Sequence, residues 1–366
     1  MSASLRRFGA SPLPPLLLCH TGAVNGLAFD PWQLWAFLRA ELTAFAETPF
    51  RCANGARATM GHVRTLHPRS AGVERLVPLG AHLLQGAAEL LVRAPAALRV
   101  ALVLCVPPRM GDGDEAFRRQ RRALERELGG RLAEAQAARG GPDPMVRTVA
   151  RGHASLAHAL DELAPVIGRG VDAALVLGLD TAYDPAWVER LLERERLFDG
   201  ERLDLAIPGE GAALALLATP DAAALCRWPV LAHVTASATA PEPAADDNDV
   251  PMTAQALSRC AVAATDALEA AGRALDWWIT DMTPEPLRVQ EFQMAWPRAS
   301  ARRMRPDGEL TFLASQLGDL GAAAMPTALC LAAEGFARGA PAADTCLITG
   351  SSPGGERGVV LVERAR

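Results

Sequence analysis

The sequence predicts an α/β fold, and three observations carry that prediction. Apolar runs of strand length alternate with segments of helical periodicity in both halves of the chain. Half of the 366 residues are apolar, which is enough to bury a large core. Residues 145–180, MVRTVARGHASLAHALDELAPVIGRGVDAALVLGLD, read as strand, sharp turn, helix and strand in close order.

Taken in order, Leu16-Leu17-Leu18-Cys19 is the first strand. Phe29 to Ala46 is predicted as an amphipathic helix, opened by Asp30 with Pro31 in its first turn. Cys52 to Leu79 reads as irregular, since Pro68 and Pro78 interrupt longer helices there. A Leu- and Ala-rich helix follows to about Arg93, and Leu98 to Val106 is a buried strand. Pro107 to Gly113 is a loop. Ala116 to Arg139 is a long Arg/Glu helix with a solvated charged face. Met145 to Ala150 is a short strand, and Gly152-His153-Ala154-Ser155 is the turn after it. Leu156, Ala159, Leu160, Leu163 and Ile167 recur at helical spacing until Gly168 and Gly170 stop the helix. Val171 to Gly178 is a second buried strand. Trp187 to Arg196 is a short helix, and Ala212 to Ala218 and Val230 to Ser237 are strands. Pro241 to Val250 is an acidic, Pro-rich surface loop. Thr253 to Ala271 and Met325 to Ala337 are helices, and 276–281, 346–349 and 358–363 are strands.

Composition excludes several classes. The net charge of −5 argues against a nucleic-acid or anionic-membrane surface. There is no lysine, so every positive side chain other than histidine is arginine. Seven cysteines without CxxC spacing predict free thiols in a reducing compartment, not a disulfide frame or zinc site. The Leu run near the N-terminus, preceded by Arg6-Arg7 and Pro12, Pro14 and Pro15, is too short for a signal or a membrane span, so a cytoplasmic location is expected. Cys105 and Cys260 sit in apolar contexts and read as core. His20, His62, His67, His82 and His158 have no metal-ligand spacing, and Gly350 to Gly355 reads as a turn, because no Lys-Ser/Thr follows to make it a phosphate loop.

The turn at 152–155 places a side chain at the positive end of a helix, where a nucleophile's pKa falls and an oxyanion is held. Gly152-His153-Ala154-Ser155-Leu156, then Gly170-Val171-Asp172 and the strand to Gly178, resembles the nucleophile segment of the β-ketoacyl synthases of the thiolase-like superfamily, roughly Ala-Cys-Ala-Ser-Gly. Leu197-Phe198-Asp199 with Ile207-Pro208-Gly209-Glu210-Gly211-Ala212-Ala213 is similar to the family's Pro-Phe-Asp and Gly-Glu-Gly-Ala segment. Leu317-Gly318-Asp319-Leu320-Gly321-Ala322-Ala323 resembles its Gly-His-x-x-Gly-Ala-Ala segment, and Gly354-Gly355 with Val359 to Val362 its closing turn and strand. The resemblance runs over almost the whole chain. It implies a five-layer α-β-α-β-α sandwich of two similar halves, 1–250 and 251–366. It also implies dimers formed by pairing a central edge strand, with 171–177 as that region's neighbour.

The same resemblance places a catalytic Cys-His-His set and a lysine, and this chain departs from all four. The nucleophile position falls on His153, the two histidine positions on Asp281 and Asp319, the lysine on Ala314, and the gating Phe near Pro353, in the Gly-rich loop with Gly354 and Gly355. One check is independent of alignment: the last histidine in the chain is His233. A thiolate acceptor and oxyanion donors are what the condensing chemistry requires, and two carboxylates repel an enolate. If His153, Asp281 and Asp319 converge, two readings stand: a buried imidazolium neutralised by two acids, or a His-and-carboxylate metal site. The leading expectation is a non-catalytic pseudoenzyme in acyl or polyketide assembly, without cofactor or metal. It would act like a chain-length factor, as a homodimer or paired with an active synthase-type subunit, with an acyl-carrier protein as a further partner. The alternatives are an adaptor or chaperone of a bacterial secretion or effector-delivery locus, and a residual acyltransferase with the family's 3-oxoacyl-[acyl-carrier-protein] synthase type of substrate.

Overall fold

The computed structural model describes residues 13–110, 115–244, 248–300 and 303–365. The readings of Met1–Pro12, of 111–113 and of 245–247 lie outside the described residues. The chain enters as β1 (Leu16–Asn25) and α1 (Pro31–Arg39), the helix capped by Asp30, which accepts from the Gln33 N–H at 2.7 Å. A hairpin of β2 (Phe45–Arg51) and β3 (Arg57–Gly61) precedes α2 (Val73–Val92), β4 (Val100–Cys105), α3 (Glu115–Ala138) and β5 (Met145–Val149). Then come α4 (Ser155–Leu163), β6 (Ala173–Thr181), α5 (Pro185–Glu193), β7 (Glu210–Ala218) and α6 (Pro220–Cys226). The remainder is β8 (Ala232–Pro241), α7 (Gln255–Ala270), β9 (Leu275–Thr280), α8 (Pro286–Ser300), β10 (Met304–Phe312), the single turn α9 (Ala314–Leu317), α10 (Ala324–Arg338), β11 (Thr345–Ser351) and β12 (Glu356–Arg364).

The strand order is β10-β9-β11-β12-β8-β1-β7-β6-β4-β5. It is one motif used twice. In the first, β4 runs parallel to β5 and β6, β7 is antiparallel to β6, and β1 is antiparallel to β7. In the second, β9 runs parallel to β10 and β11, β12 is antiparallel to β11, and β8 is antiparallel to β12. The two five-stranded sheets join through three residue pairs, Leu16–Leu18 against Val234–Ala232. By sheet order the second motif starts at β8, ahead of the boundary expected at 250.

Three cores separate five layers. One lies between α2, α3 and the outer face of the first sheet, with Leu102, Leu104, Leu175 and Leu177. The central core holds α4 and α10 between the sheets, with Val103, Val176, Ile279 and Ile348. The third packs α7 and α8 on the second sheet around Trp278 and Leu347. Alternate residues of β4 and β6 enter different cores, so both read as continuous apolar runs. This is the α-β-α-β-α sandwich that the resemblance implies.

Several boundaries move. The first helix ends at Arg39, because the chain turns through Glu41 at φ +56° and Phe45 starts a strand where helix is expected to Ala46. The region expected to be irregular after Cys52 contains β3 and the first turn of α2. Pro78 is tolerated inside α2 because both it and Glu74, whose carbonyl loses its partner, are exposed to water. Helix α4 stops at Leu163, ahead of Ile167, since Pro165 disfavours helix before it. Helix α8 and strand β10 escape prediction; β10 is an edge strand, whose sequence Met304-Arg305-Pro306-Asp307-Gly308 has no apolar alternation. Among the described residues no helix is long and apolar enough to cross a membrane.

The turn bearing His153 lies directly on β11. A Cβ at Gly350 would stand 2.3 Å from the His153 carbonyl oxygen, so only glycine allows this approach. Gly350→Ala is expected to destabilise the fold by about 1–3 kcal/mol through overpacking, read as a lower urea midpoint. An unchanged midpoint would mean that the turn is free to move off the strand.

Candidate functional site

Two helices of the central layer begin at the same place. A single 3-10 turn, Gly152–Ala154, leads into α4, and another, Gly321–Ala323, leads into α10. His153 and Asp319 stand at these two entrances. His153 is 4% exposed, and its Nε2 lies 2.6 Å from Asp319 Oδ1. The same carboxylate oxygen accepts from the Gly321 N–H at 3.0 Å, at the positive end of α10. Asp180, at the end of β6, accepts from the Ala322 N–H at 3.0 Å and from Arg109 Nη2 at 2.6 Å. Gly321 makes room for it: a Cβ there would stand 1.9 Å from Asp180 Oδ2.

Asp281 follows β9 directly and is buried, but its carboxylate does not bond His153. It accepts from the Ser351 N–H at 3.0 Å and pairs with Arg288 Nη2 at 2.8 Å; Arg288, in α8, also donates to the Ser351 carbonyl. The expectation of one imidazolium between two acids is therefore corrected. Two carboxylates are matched by two cations, His153 with Asp319 and Arg288 with Asp281. Sequence reasoning missed Arg288. The signal was the need for a cation beside Asp281 once that acid is buried next to a second carboxylate. Further out, Glu285 pairs with Arg196, and Glu291 with Arg357 at 2.5 Å.

Burial alone would lower the imidazole pKa, but the charge and hydrogen bond of Asp319 outweigh it, and His153 is held above the ordinary histidine value. Burial likewise works against the Asp319 carboxylate, yet His153 and then Arg288 hold it well below the usual carboxylate range. Arg288 is buried and nevertheless held firmly protonated, chiefly by Asp281 and Asp319.

A cavity of about 180 Å³ opens on His153 and Asp319. Its apolar wall includes Pro107, Pro108, Ala182, Trp187, Leu191 and Pro208. Pro353 and Gly354 of the Gly-rich loop also line it. Pro353 has no N–H to offer an oxyanion. Gly355 turns the chain at φ +94° outside the lining. Ala314, the expected lysine position, opens α9 and also lies outside it, as does Asp281. No cysteine lines the cavity. All seven are free, and burial pushes Cys19, Cys260 and Cys330 up to about 12. Among the described residues no three His, Cys, Asp or Glu side chains are grouped to hold a metal ion; Asp281, which the metal reading needs, is bonded to Arg288.

The layered fold and a site set between the entrances of its two central helices define a ketosynthase-like architecture. No family model matches the chain, and no curated protein matches it. Solved structures do. The chain superposes with a TM-score of 0.72 and 13% identity on a type II PKS acyl-carrier protein in complex with its ketosynthase bound to the hexaketide, over 97% of this chain and 100% of that one. It superposes with a TM-score of 0.71 and 15% identity on the ishigamide ketosynthase/chain length factor, with the same coverage. The oxazolomycin ketosynthase domain of Streptomyces albus JA3453 gives 0.69 and 18%, over 96% of this chain and 75% of that one. The fold is thus the thiolase-like fold of the ketosynthases.

The His153–Asp319 pair predicts a signed pH dependence. Because the folded pKa of His153 is raised, its contribution to stability is full below the ordinary imidazole pKa and lost as pH rises through the raised value. Because that of Asp319 is lowered, its contribution is present above the ordinary carboxylate pKa and lost as pH falls through the depressed value. Asp319→Asn should cost about 1.5–3 kcal/mol near pH 6. It leaves burial as the main influence on His153, whose ring, followed by NMR, should then titrate below the ordinary histidine value. A pKa that stays raised would show that another group holds the proton.

Proposed function

We propose that this chain is a non-catalytic relative of the ketosynthases, which keeps the fold to shape and join an acyl or polyketide assembly complex in the manner of a chain-length factor. One observation carries the reading. The polar side chains where the resemblance expects nucleophile and histidines are bonded to one another or to arginine, and no thiol reaches the cavity. An acyl-transfer site needs a thiolate to accept the chain and hydrogen-bond donors turned toward the developing oxyanion. Here His153 faces a carboxylate, Asp281 faces a guanidinium, and Pro353 brings no donor to the loop. An imidazole-bound acyl group also hydrolyses readily, so His153 makes a poor acyl store.

The partner we propose is a synthase-type subunit, in the cytoplasm, with an acyl-carrier protein as a further contact. The likeness to the ishigamide ketosynthase/chain length factor supports this partner class. Strand β5 is one edge of the ten-stranded sheet and lies just before the His153 turn, whereas β6 is two strands further in. The β5 edge is the pairing surface we assign to the dimer.

Incubation with acyl-coenzyme A and acyl-carrier-protein thioesters, followed by intact-protein mass spectrometry, tests the reading. The natural chain is expected to gain no mass, and His153→Cys is expected to take up an acyl group if the cavity still admits the thioester. A stable adduct or decarboxylation by the natural chain would return it to the enzymes. Copurification with an active synthase subunit, lost when Val146→Pro removes an outer-edge N–H of β5, is expected from the proposed assembly.

A further inference from the structure

The cavity on His153 carries a charge balance that its retired chemistry does not use. Its lining contains four arginines, Arg109, Arg190, Arg194 and Arg196, and three carboxylates, Asp180, Glu285 and Asp319. Each carboxylate is already matched. Asp180 binds Arg109 at 2.6 Å, Glu285 binds Arg196, and Asp319 binds His153 at 2.6 Å. Arg190 is stacked over the Phe117 ring at 4.8 Å. Arg194, the residue that caps the C-terminus of α5, is exposed and makes no ion pair with any described residue. It stands as one cation at the mouth of an apolar cavity, and the three internal pairs leave the cavity's own acids no part in neutralising it.

Size limits what enters. A dry protein cavity of about 150 Å³ admits one benzene ring, so the 180 Å³ found here admits a body of about six to ten non-hydrogen atoms. That is too small for an extended polyketide. The wall of proline, alanine, leucine and tryptophan side chains supplies no row of hydrogen-bond partners for a sugar or nucleobase. What fits is one anionic group beside a short apolar body.

We propose that this cavity reversibly binds a small organic carboxylate, its apolar body against Pro108, Trp187 and Leu191 and its carboxylate at Arg194. The inference rests on the non-catalytic reading of the same site, since a resident ligand requires that no acyl chain be processed there. No bond is made or broken. The ligand is a free acid, and occupancy would couple its concentration to the shape of α5 and of the loop holding Arg196.

The test is calorimetric or NMR titration of the intact chain with sodium hexanoate and, separately, hexanamide, which have the same size and differ in charge. The acid is expected to bind about tenfold more tightly than the amide, the discrimination of one hydrogen bond to a charged group. Arg194→Gln, at an exposed position, should abolish that preference and leave amide binding unchanged. Leu191→Trp, which fills the cavity, should abolish binding of both. Equal affinity for acid and amide, undiminished preference in Arg194→Gln, retained binding in Leu191→Trp, or no saturable binding at millimolar acid would each overturn the proposal. Neither probe carries a thioester, so these outcomes are separate from acyl uptake, which tests the non-catalytic reading itself.

Discussion

The hydrogen bond between His153 and Asp319 ties together the two entrances of the central layer. One partner stands before α4, in the first half, and the other before α10, in the second. Both helices point their positive ends at this spot, and two carboxylates, Asp180 and Asp319, accept from N–H groups of the turn that leads into α10. A site built this way concentrates positive potential, and that potential calls for a negative group. Asp319 answers it with a fixed charge, and His153 is then the cation that keeps this charge from being buried alone.

A chain of matched pairs follows from that constraint. Burying one acid calls for a cation, and a cation in low dielectric calls for further acids. His153–Asp319, Arg288–Asp281, Arg357–Glu291 and Arg196–Glu285 run as alternating charges from the His153 turn to α8, β12 and the segment after α5. Pairs of this kind add little net stability relative to well-packed apolar side chains, but breaking one leaves an orphan charge. They therefore act on geometry more than on stability, fixing the loops after β9 and β11 against the His153 turn. Among the described residues, His153 Nδ1 is buried without a hydrogen-bond partner.

The fold was legible where burial is two-sided. The β4 and β6 regions, apolar at nearly every position, declare themselves because both faces meet cores. The turn at His153 was legible because strand, turn and helix lie within a few residues. Strand β10 was not, since an edge strand with one wet side needs no apolar alternation, and the β2–β3 hairpin was hidden among prolines and polar residues that read equally as loop. The duplication of the motif left no trace in the letters, because what repeats is strand order and direction, which many sequences satisfy. In the site, His153, Asp319 and Pro353, each singled out by a local motif, line one cavity. The Asp281–Arg288 pair depends on how α8 folds back over the end of β9, which no short-range pattern encodes.

These constraints bear on why a cavity persists at all. An apolar cavity can close, since filling 180 Å³ with side chains recovers contacts and excludes water. Closure here is opposed by the pairs themselves. Arg109 is held by Asp180 and stacked 4.5 Å from the Trp187 ring, and Arg196 is held by Glu285, so two sides of the cavity are fixed by bonds that collapse would break. Proline at 107, 108, 208 and 353 stiffens the loops around it. The ion pairs that line the cavity are thus the ones that keep the space open.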